Sequence, residues 1–305
     1  MSKEEVVLFL KNLQSEICSG LELLDGKSNF SIEEWNREEG GGGITRVIQD
    51  GKVFEKGGVN FSAVYGKAPD FLLNETQHSL VKSGEMDLVF FATGLSIVIH
   101  PVNPFVPIIH MNIRYFEMND GTRWLGGGID LTPHYIDEKE AAYFHSSLKE
   151  ICDSHHPEYY SLYKKWADDY FFIKHRNETR GVGGIFFDRL AEGDLSFEQN
   201  IEFWKHTGKT FLPVYSKIVN DKKEFTYKEN HKRWQLLRRG RYVEFNLVYD
   251  KGTKFGLETQ GRIESILMSL PKFASWEYDV KPEFDSEEEK TLELLKKGID
   301  FISKH

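Results

Sequence analysis

From Leu88 to Phe116 apolar and polar side chains alternate along two runs, LVFFATGLSIVIH and IIHMNIRYFE, joined by the turn-rich PVNPFVP. A strand sends successive side chains to opposite faces, so the pattern predicts two neighbouring strands. In the second, Ile109, Met111, Ile113 and Tyr115 share one face while His110, Asn112 and Arg114 share the other. In the first, Ser96, Val98 and His100 fall on one side. One face is core and the other is a site or solvent. An ordinary solvated face favours Thr, Lys, Glu and Ser, whereas this row holds an imidazole, an amide and a guanidinium able to grip a carboxylate. Polar-out alternation is also the normal look of an antiparallel sheet, so the rest of the chain must decide.

Helical periodicity opens the chain over about residues 3–24, followed by a polar linker. Two β-patterned runs then flank Asp50-Gly51, a strong hairpin signal. The Gly40 to Gly43 run lacks the Gly-Lys-Ser/Thr of a phosphate loop and precedes a strand, which argues against that reading. WLGGGIDLTPHY, residues 124–135, predicts a strand approached closely by another backbone or a ligand. Helices follow. Asp137 with Glu140 resembles a capping box, and Pro157 opens PEYYSLYKKWADDYFFIKH in the first-turn position proline tolerates. RGVGGIFFD predicts one more strand, FEQNIEFWKHTGKTFLPVYSKIVND a helix kinked at Pro213, and KENHKRWQLLRR another helix. YVEFNLVYD reads as a strand with Val243, Phe245, Leu247 and Tyr249 on one parity and Glu244, Asn246 and Asp250 on the other. SWEYDV is strand-like, and a Glu/Lys helix covers about residues 286–303.

Strands come in two sets with helices between and at both ends, and few alternate one-for-one with a helix, which disfavours parallel doubly wound folds. The expectation is α+β: a single domain over residues 1–305, with a large antiparallel β-sheet flanked by α-helices on both faces.

Composition narrows the function. The 305 residues, 40% hydrophobic and 14% aromatic, can bury a substantial core. A net charge of -9 argues against nucleic-acid binding. The N-terminus lacks a transit or secretory pattern and no apolar run is long enough to span a bilayer, so a cytoplasmic location is expected. The two cysteines, Cys18 and Cys152, make neither a metal spacing nor a disulfide framework and are expected as buried thiols. Against this acidic background Arg114, Arg238, Arg239, Arg241 and Arg262 gather near strand ends and glycines, with Asp130 and Asp250 among them. Such a cluster suits a small polyanion with an apolar body; equally, Arg238, Arg239 and Arg241 could cap a helix C-terminus. His100, His110, His145 and His175 raise a metal reading, but their spacings carry no local ligand signature. His110 is the stronger acid–base candidate, beside Asn112 and Arg114 on one strand face.

The segments GGGGITRV, GGVNFS, HPVNPFVPIIHMNIRYF, GGGIDLTP, KKWADDYFFIKHRNETRGVGGIFFD, RRGRYVEFNLVYDKGTKFGL and GRIESILMSLP, from about Trp35 to Tyr278, resemble oxygen-dependent coproporphyrinogen III oxidases. The resemblance implies oxidative decarboxylation of two propionates of coproporphyrinogen III to vinyl groups, giving protoporphyrinogen IX in haem synthesis. Molecular oxygen would be the co-substrate, with no metal or organic cofactor required, and the enzyme would be a homodimer. By position His110 resembles the family's proton donor, and Asp250 the aspartate that engages the pyrrole N–H groups. Ser96, Asn112, Ile113, Arg114, Gln260, Gly261 and Arg262 resemble substrate-contacting positions. Were a divalent metal bound, the resemblance would put it on His100, His110, His145 and His175.

Two departures stand out. The family commonly has YDRGT where this chain has YDKGT, so Lys251 keeps the charge but loses the guanidinium fork. It often has FFDDL where this chain has FFDRL, so Arg189 reverses a charge beside Asp188. A rival reading is a porphyrin carrier without turnover; it would need the arginines but not His110 and Asp250.

Overall fold

The structure, a computed structural model, describes residues 1–69, 73–258 and 262–303. Its centre is a seven-stranded antiparallel sheet in the order β1-β2-β3-β4-β5-β6-β9. The strands are β1 (Ser31–Asn36), β2 (Gly41–Gln49), β3 (Phe54–Lys67), β4 (Val89–Pro101), β5 (Ile108–Met118), β6 (Arg123–Thr132) and β9 (Gly183–Leu190). The first six form a meander, with helix α2 (Glu75–Ser83) between β3 and β4. Between β6 and β9 the chain makes helices α3 (Glu138–His155) and α4 (Tyr159–Tyr170) and a two-stranded ribbon of β7 (Phe172–Ile173) and β8 (Glu178–Thr179).

The sheet's odd-numbered face on β4 to β6 is core. Leu95, Ile97, Ile109, Met111, Ile113, Ile129 and Leu131 are buried in one cluster with helix residues Leu10, Leu13, Phe144, Phe203 and Trp204. Helix α1 (Lys3–Asp25) buries Val6, Leu10, Leu13, Ile17 and Leu21, a single stripe, and is closed by a Ser2/Glu5 capping box and a left-handed Gly26. Its Gln14 donates to the carbonyls of Ile44 and Val59 at 2.8 Å, fixing the helix on the sheet. Helix α5 (Phe197–Lys222) comes closest at Gly208, where a Cβ would stand 2.8 Å from Ile113 and 2.9 Å from Leu13. It runs on through Pro213, whose side chain is solvent-facing, so the unmatched carbonyl can bond water.

The turn between β2 and β3 is held from below. Asp25, at the end of α1, accepts backbone N–H bonds from Lys27, Ser28, Lys52, Val53 and Phe54. Burial pushes its carboxyl up, but these amides outweigh it and leave the pKa below the usual value.

Several expectations need correction. YVEFNLVYD is not a strand: it ends helix α6 (Glu229–Val248). Leu247 and Val248 are 45% and 50% exposed, while Tyr242, Phe245 and Asn246 are buried at helical spacing. SWEYDV forms no strand, and the supposed linker contains β1. Helix α4 begins two residues after Pro157 and stops at Tyr170. The last helix, α9 (Glu287–Leu294), is shorter than the 286–303 span expected. Arg238, Arg239 and Arg241 are structural: they pair with Glu178, Glu55 and Glu244, and Arg239 also donates to the Pro101 carbonyl at 2.7 Å. Cys18 and Cys152 are buried free thiols, their pKa values pushed up to about 12 chiefly by burial.

Candidate active site

The even-numbered face carries the polar row, and the register shows what surrounds it. His110, Asn112 and Arg114 stand opposite Asp130, Gly128 and Gly126 on β6 and opposite Val98, Ser96 and Gly94 on β4. Beyond β4 lie Asn60 and Ser62 of β3, then Thr45 and Gly43 of β2. The middle of this face is therefore glycine and small polar residues, a shallow floor on which few large side chains stand up. At one end, α6 and the short helix α8 (Ile263–Leu267) close over it through Tyr242 and Met268, packed on Val47, Val98 and Ile108. Ser265 of α8 bonds Thr45 at 2.8 Å, and Asn60 donates to its carbonyl at 2.9 Å.

His110 is anchored from behind. Its Nδ1 bonds Asp130 Oδ1 at 2.7 Å, and Arg180 Nη2 donates to both Asp130 oxygens at 2.8 and 2.6 Å. Asp130 and Arg180 are buried. Burial alone would raise the Asp130 carboxyl, but Arg180 and the His110 hydrogen bond hold it below its ordinary value, so it remains a carboxylate. As the acceptor of the Nδ1 proton, it leaves Nε2 as the ring nitrogen free for the floor. Arg180 also donates to Asn246 at 3.0 Å and lies 4.3, 4.7 and 4.8 Å from the Phe171, Tyr242 and Phe245 rings.

Asp250 follows α6 and caps α7 (Lys251–Glu258), accepting the Thr253 N–H at 2.7 Å. Its other oxygen accepts the Tyr170 hydroxyl at 2.8 Å. Tyr170 in turn stacks on Phe186, 4.3 Å between centroids, and Phe186 stands opposite Gly128 on the floor. Burial first, and Asp250 second, push the Tyr170 pKa upward, keeping it a neutral donor. Lys251 touches Tyr170 only through its backbone N–H, at 3.2 Å, and its side chain is exposed.

Both expected propionate arginines are already engaged. Arg114 Nη2 meets Asp188 at 2.8 Å and its Nη1 meets Asn112 at 3.2 Å; Arg262 pairs with Glu33 on β1. Ile113 faces the core, fully buried, so its side chain cannot reach the floor. Gln260 and Gly261 lie outside the described residues. The four histidines do not converge: His100 bonds the Ser269 carbonyl, His145 the Val182 carbonyl and Tyr160, and His175 Tyr249 and Glu244. Among the described residues no three His, Cys, Asp or Glu side chains form a group that could hold a metal. Arg180 and Tyr170 were missed in the sequence, since their partners lie 50 and 80 residues away.

The chain is similar over nearly its whole length to known proteins. The family model described as coproporphyrinogen III oxidase matches residues 5–301. The oxygen-dependent coproporphyrinogen-III oxidase of Rattus norvegicus, named mitochondrial, is 49% identical over 98% of this chain and 69% of its own length. That of Drosophila melanogaster is 48% identical over 98% of this chain and 78% of its own. Coproporphyrinogen-III oxidase 1 of Arabidopsis thaliana, named chloroplastic, is 49% identical over 93% of this chain and 75% of its own. These organellar names overturn the expected cytoplasmic location, which rested only on the lack of a recognisable targeting pattern. Among the described residues no helix is long and apolar enough to cross a membrane. With a family model spanning nearly the whole chain and relatives at close to half identity, the chain belongs to the coproporphyrinogen III oxidase family.

Proposed function

We propose that this chain catalyses the oxygen-dependent oxidative decarboxylation of two propionates of coproporphyrinogen III, giving protoporphyrinogen IX. The observation that carries the reading is the glycine–serine floor bounded by arginines from opposite sides. Arg262 is tethered to β1 and Arg114 stands on β5, four strands away. At about 4.8 Å per strand that separation is roughly 19 Å between strand axes, suited to a flexible macrocycle carrying carboxylates on its rim.

Each turnover converts one –CH2–CH2–COOH and O2 to –CH=CH2, CO2 and H2O2: the propionate loses two electrons and two protons, and oxygen takes both. Asp250 accepts a pyrrole N–H, drawing electron density into the ring and easing its oxidation. His110, held by Asp130, moves a proton at Nε2. Arg114 and Arg262 hold propionates, with Asn112 and Ser96 lining the floor between them. The pairing of Asp130 with His110 favours an enzyme over a carrier, because a binding pocket has no use for a buried carboxylate that orients an imidazole.

The enzyme works as a homodimer on this reading, supported by exposed apolar side chains in two segments, Leu247 and Val248 at the end of α6 and Phe273, Trp276 and Tyr278 after α8. Light scattering of the eluting peak tests this; a monomer mass at micromolar protein would remove it. The function is tested by turnover of freshly reduced coproporphyrinogen III in air and under argon, each with and without EDTA. Protoporphyrinogen IX in air, unaffected by EDTA and absent under argon, is expected. Tight binding of the macrocycle without product would make the protein a carrier.

A further inference from the structure

We propose that Arg189 is a further carboxylate anchor of this site, one that sets which porphyrinogens bind well. The inference rests on the floor being the tetrapyrrole site. It begins with an irregularity in β9. Pairing with β6 shifts between Leu125 and Gly127, so the residues around Asp188 and Arg189 form a bulge against it. An extra residue in one strand breaks the alternation and can re-aim a side chain. Asp188 reaches Arg114 on the floor, and the next residue, Arg189, lies over the ring of Trp124, 5.3 Å from guanidinium to centroid. Trp124 has the parity of Gly126 and Gly128 and therefore belongs to the floor's face. Two consecutive residues thus serve one side of the sheet.

The backbone at Arg189 is left-handed, with φ at 50°. That region suits glycine, asparagine and aspartate; an arginine there is disfavoured, and such outliers gather at functional sites. Trp124 also stacks on Phe116 at 3.9 Å, and Phe116 on Phe90 at 6.0 Å. A stacked row thereby crosses β4, β5 and β6 and bounds the floor, and Arg189 of β9 stands at its end. Arg114 and Arg262 are each neutralised by an acid, Asp188 and Glu33. Arg189 is exposed and forms no ion pair with a described residue. A substrate carboxylate reaching it meets a full positive charge placed over an aromatic ring, without displacing a resident carboxylate.

The test compares the full chain with Arg189→Gly, which relieves the left-handed backbone, and Arg189→Gln, which does not. Steady-state turnover of coproporphyrinogen III should give a KM raised about threefold to fivefold in both variants, the size of an exposed ion pair, with kcat unchanged. Arg189→Lys should recover part of the loss, and added salt should shrink the difference. An unchanged KM in both variants, or a rise in only one, overturns the anchor, since the second outcome assigns the effect to the backbone. Failure of the functional reading is separated by equilibrium fluorescence quenching with coproporphyrin III and with a porphyrin bearing two carboxylates. The anchor requires the variants to lose more affinity for the tetracarboxylate; equal losses overturn it even if turnover is absent in every protein.

Discussion

Replacing Asp130 by asparagine removes the carboxylate that is hydrogen-bonded to the buried Arg180 guanidinium, leaving only the more distant charge of Asp250 to offset it. The two side chains are 1% and 2% exposed, and both Asp130 oxygens receive Arg180 Nη2. Breaking a buried pair from one side costs about 3–5 kcal/mol. Here three aromatic rings and Asn246 still face the guanidinium, which puts the expected loss near the lower end, about 3 kcal/mol. Arg180→Met should cost a similar amount, because Asp130 then keeps only His110. The double variant, with no unpaired charge, should fall short of the sum by roughly 2 kcal/mol or more. Urea denaturation at pH 7 followed by circular dichroism measures all three. In the folded fraction of Asp130→Asn, kcat should drop by on the order of a hundredfold or more, with KM little changed, because the His110 tautomer is no longer specified. Single variants costing under about 1 kcal/mol, or a double variant equal to the sum, would refute the buried-pair account. An unchanged kcat would refute the positioning of His110.

Tyr170→Phe removes the hydroxyl from Asp250 while leaving the ring on Phe186; about 1 kcal/mol of stability should go, with a larger proportional loss in kcat than in thermal midpoint. At Gly126 a methyl would stand 2.6 Å from Arg114 Nε and 2.8 Å from Asp188 Oδ1, both movable side-chain ends. Gly126→Ala should fold normally yet raise KM by displacing that pair, as steady-state kinetics would show. Glu140, 2.9 Å from Lys222, has its carboxyl pushed up to about 7, by burial first, with Lys222 only partly opposing it. A raised folded value means the contribution is fully present below about pH 4.5 and lost as pH rises through about 7. Glu140→Gln should therefore flatten that part of the stability profile, by on the order of 2 kcal/mol between pH 5 and 8 in urea titrations.

The sheet strands flanking the floor were legible because one face of each is buried, and burial enforces alternation. Ile109, Met111 and Ile113 against His110, Asn112 and Arg114 could hardly be read otherwise. Strand β1 escaped notice because SIEEWN is exposed at nearly every position, and an edge strand wetted on both sides has no period-two signal. The first half of helix α6 was legible as a helix, but its C-terminal part reads as a strand for the opposite reason. Its buried stripe is polar, comprising Gln235, Arg238, Arg239 and Asn246 beside Tyr242 and Phe245, so hydrophobicity conceals the 3.6-residue period while YVEFNLV happens to alternate. Polar residues at that stripe also explain why three of its arginines suggested a ligand grip when they are internal braces. The support behind His110 was out of reach, since no local pattern links Asp130 to Arg180.

The meander order has a consequence for how the molecule assembles. Strands β1 to β6 pair with their chain neighbours, so each new hairpin closes a modest loop and the sheet can zip up in the order of synthesis. Strand β9 follows α3 and α4 in the chain, and the segment leading into it carries Arg180. Until that segment joins, the growing sheet carries Asp130 without its counter-charge, and β6 is an open edge. The segment that closes the sheet's last edge is thus also the one that carries the counter-charge of the buried carboxylate, so completion of the sheet and orientation of His110 depend on the same stretch of chain.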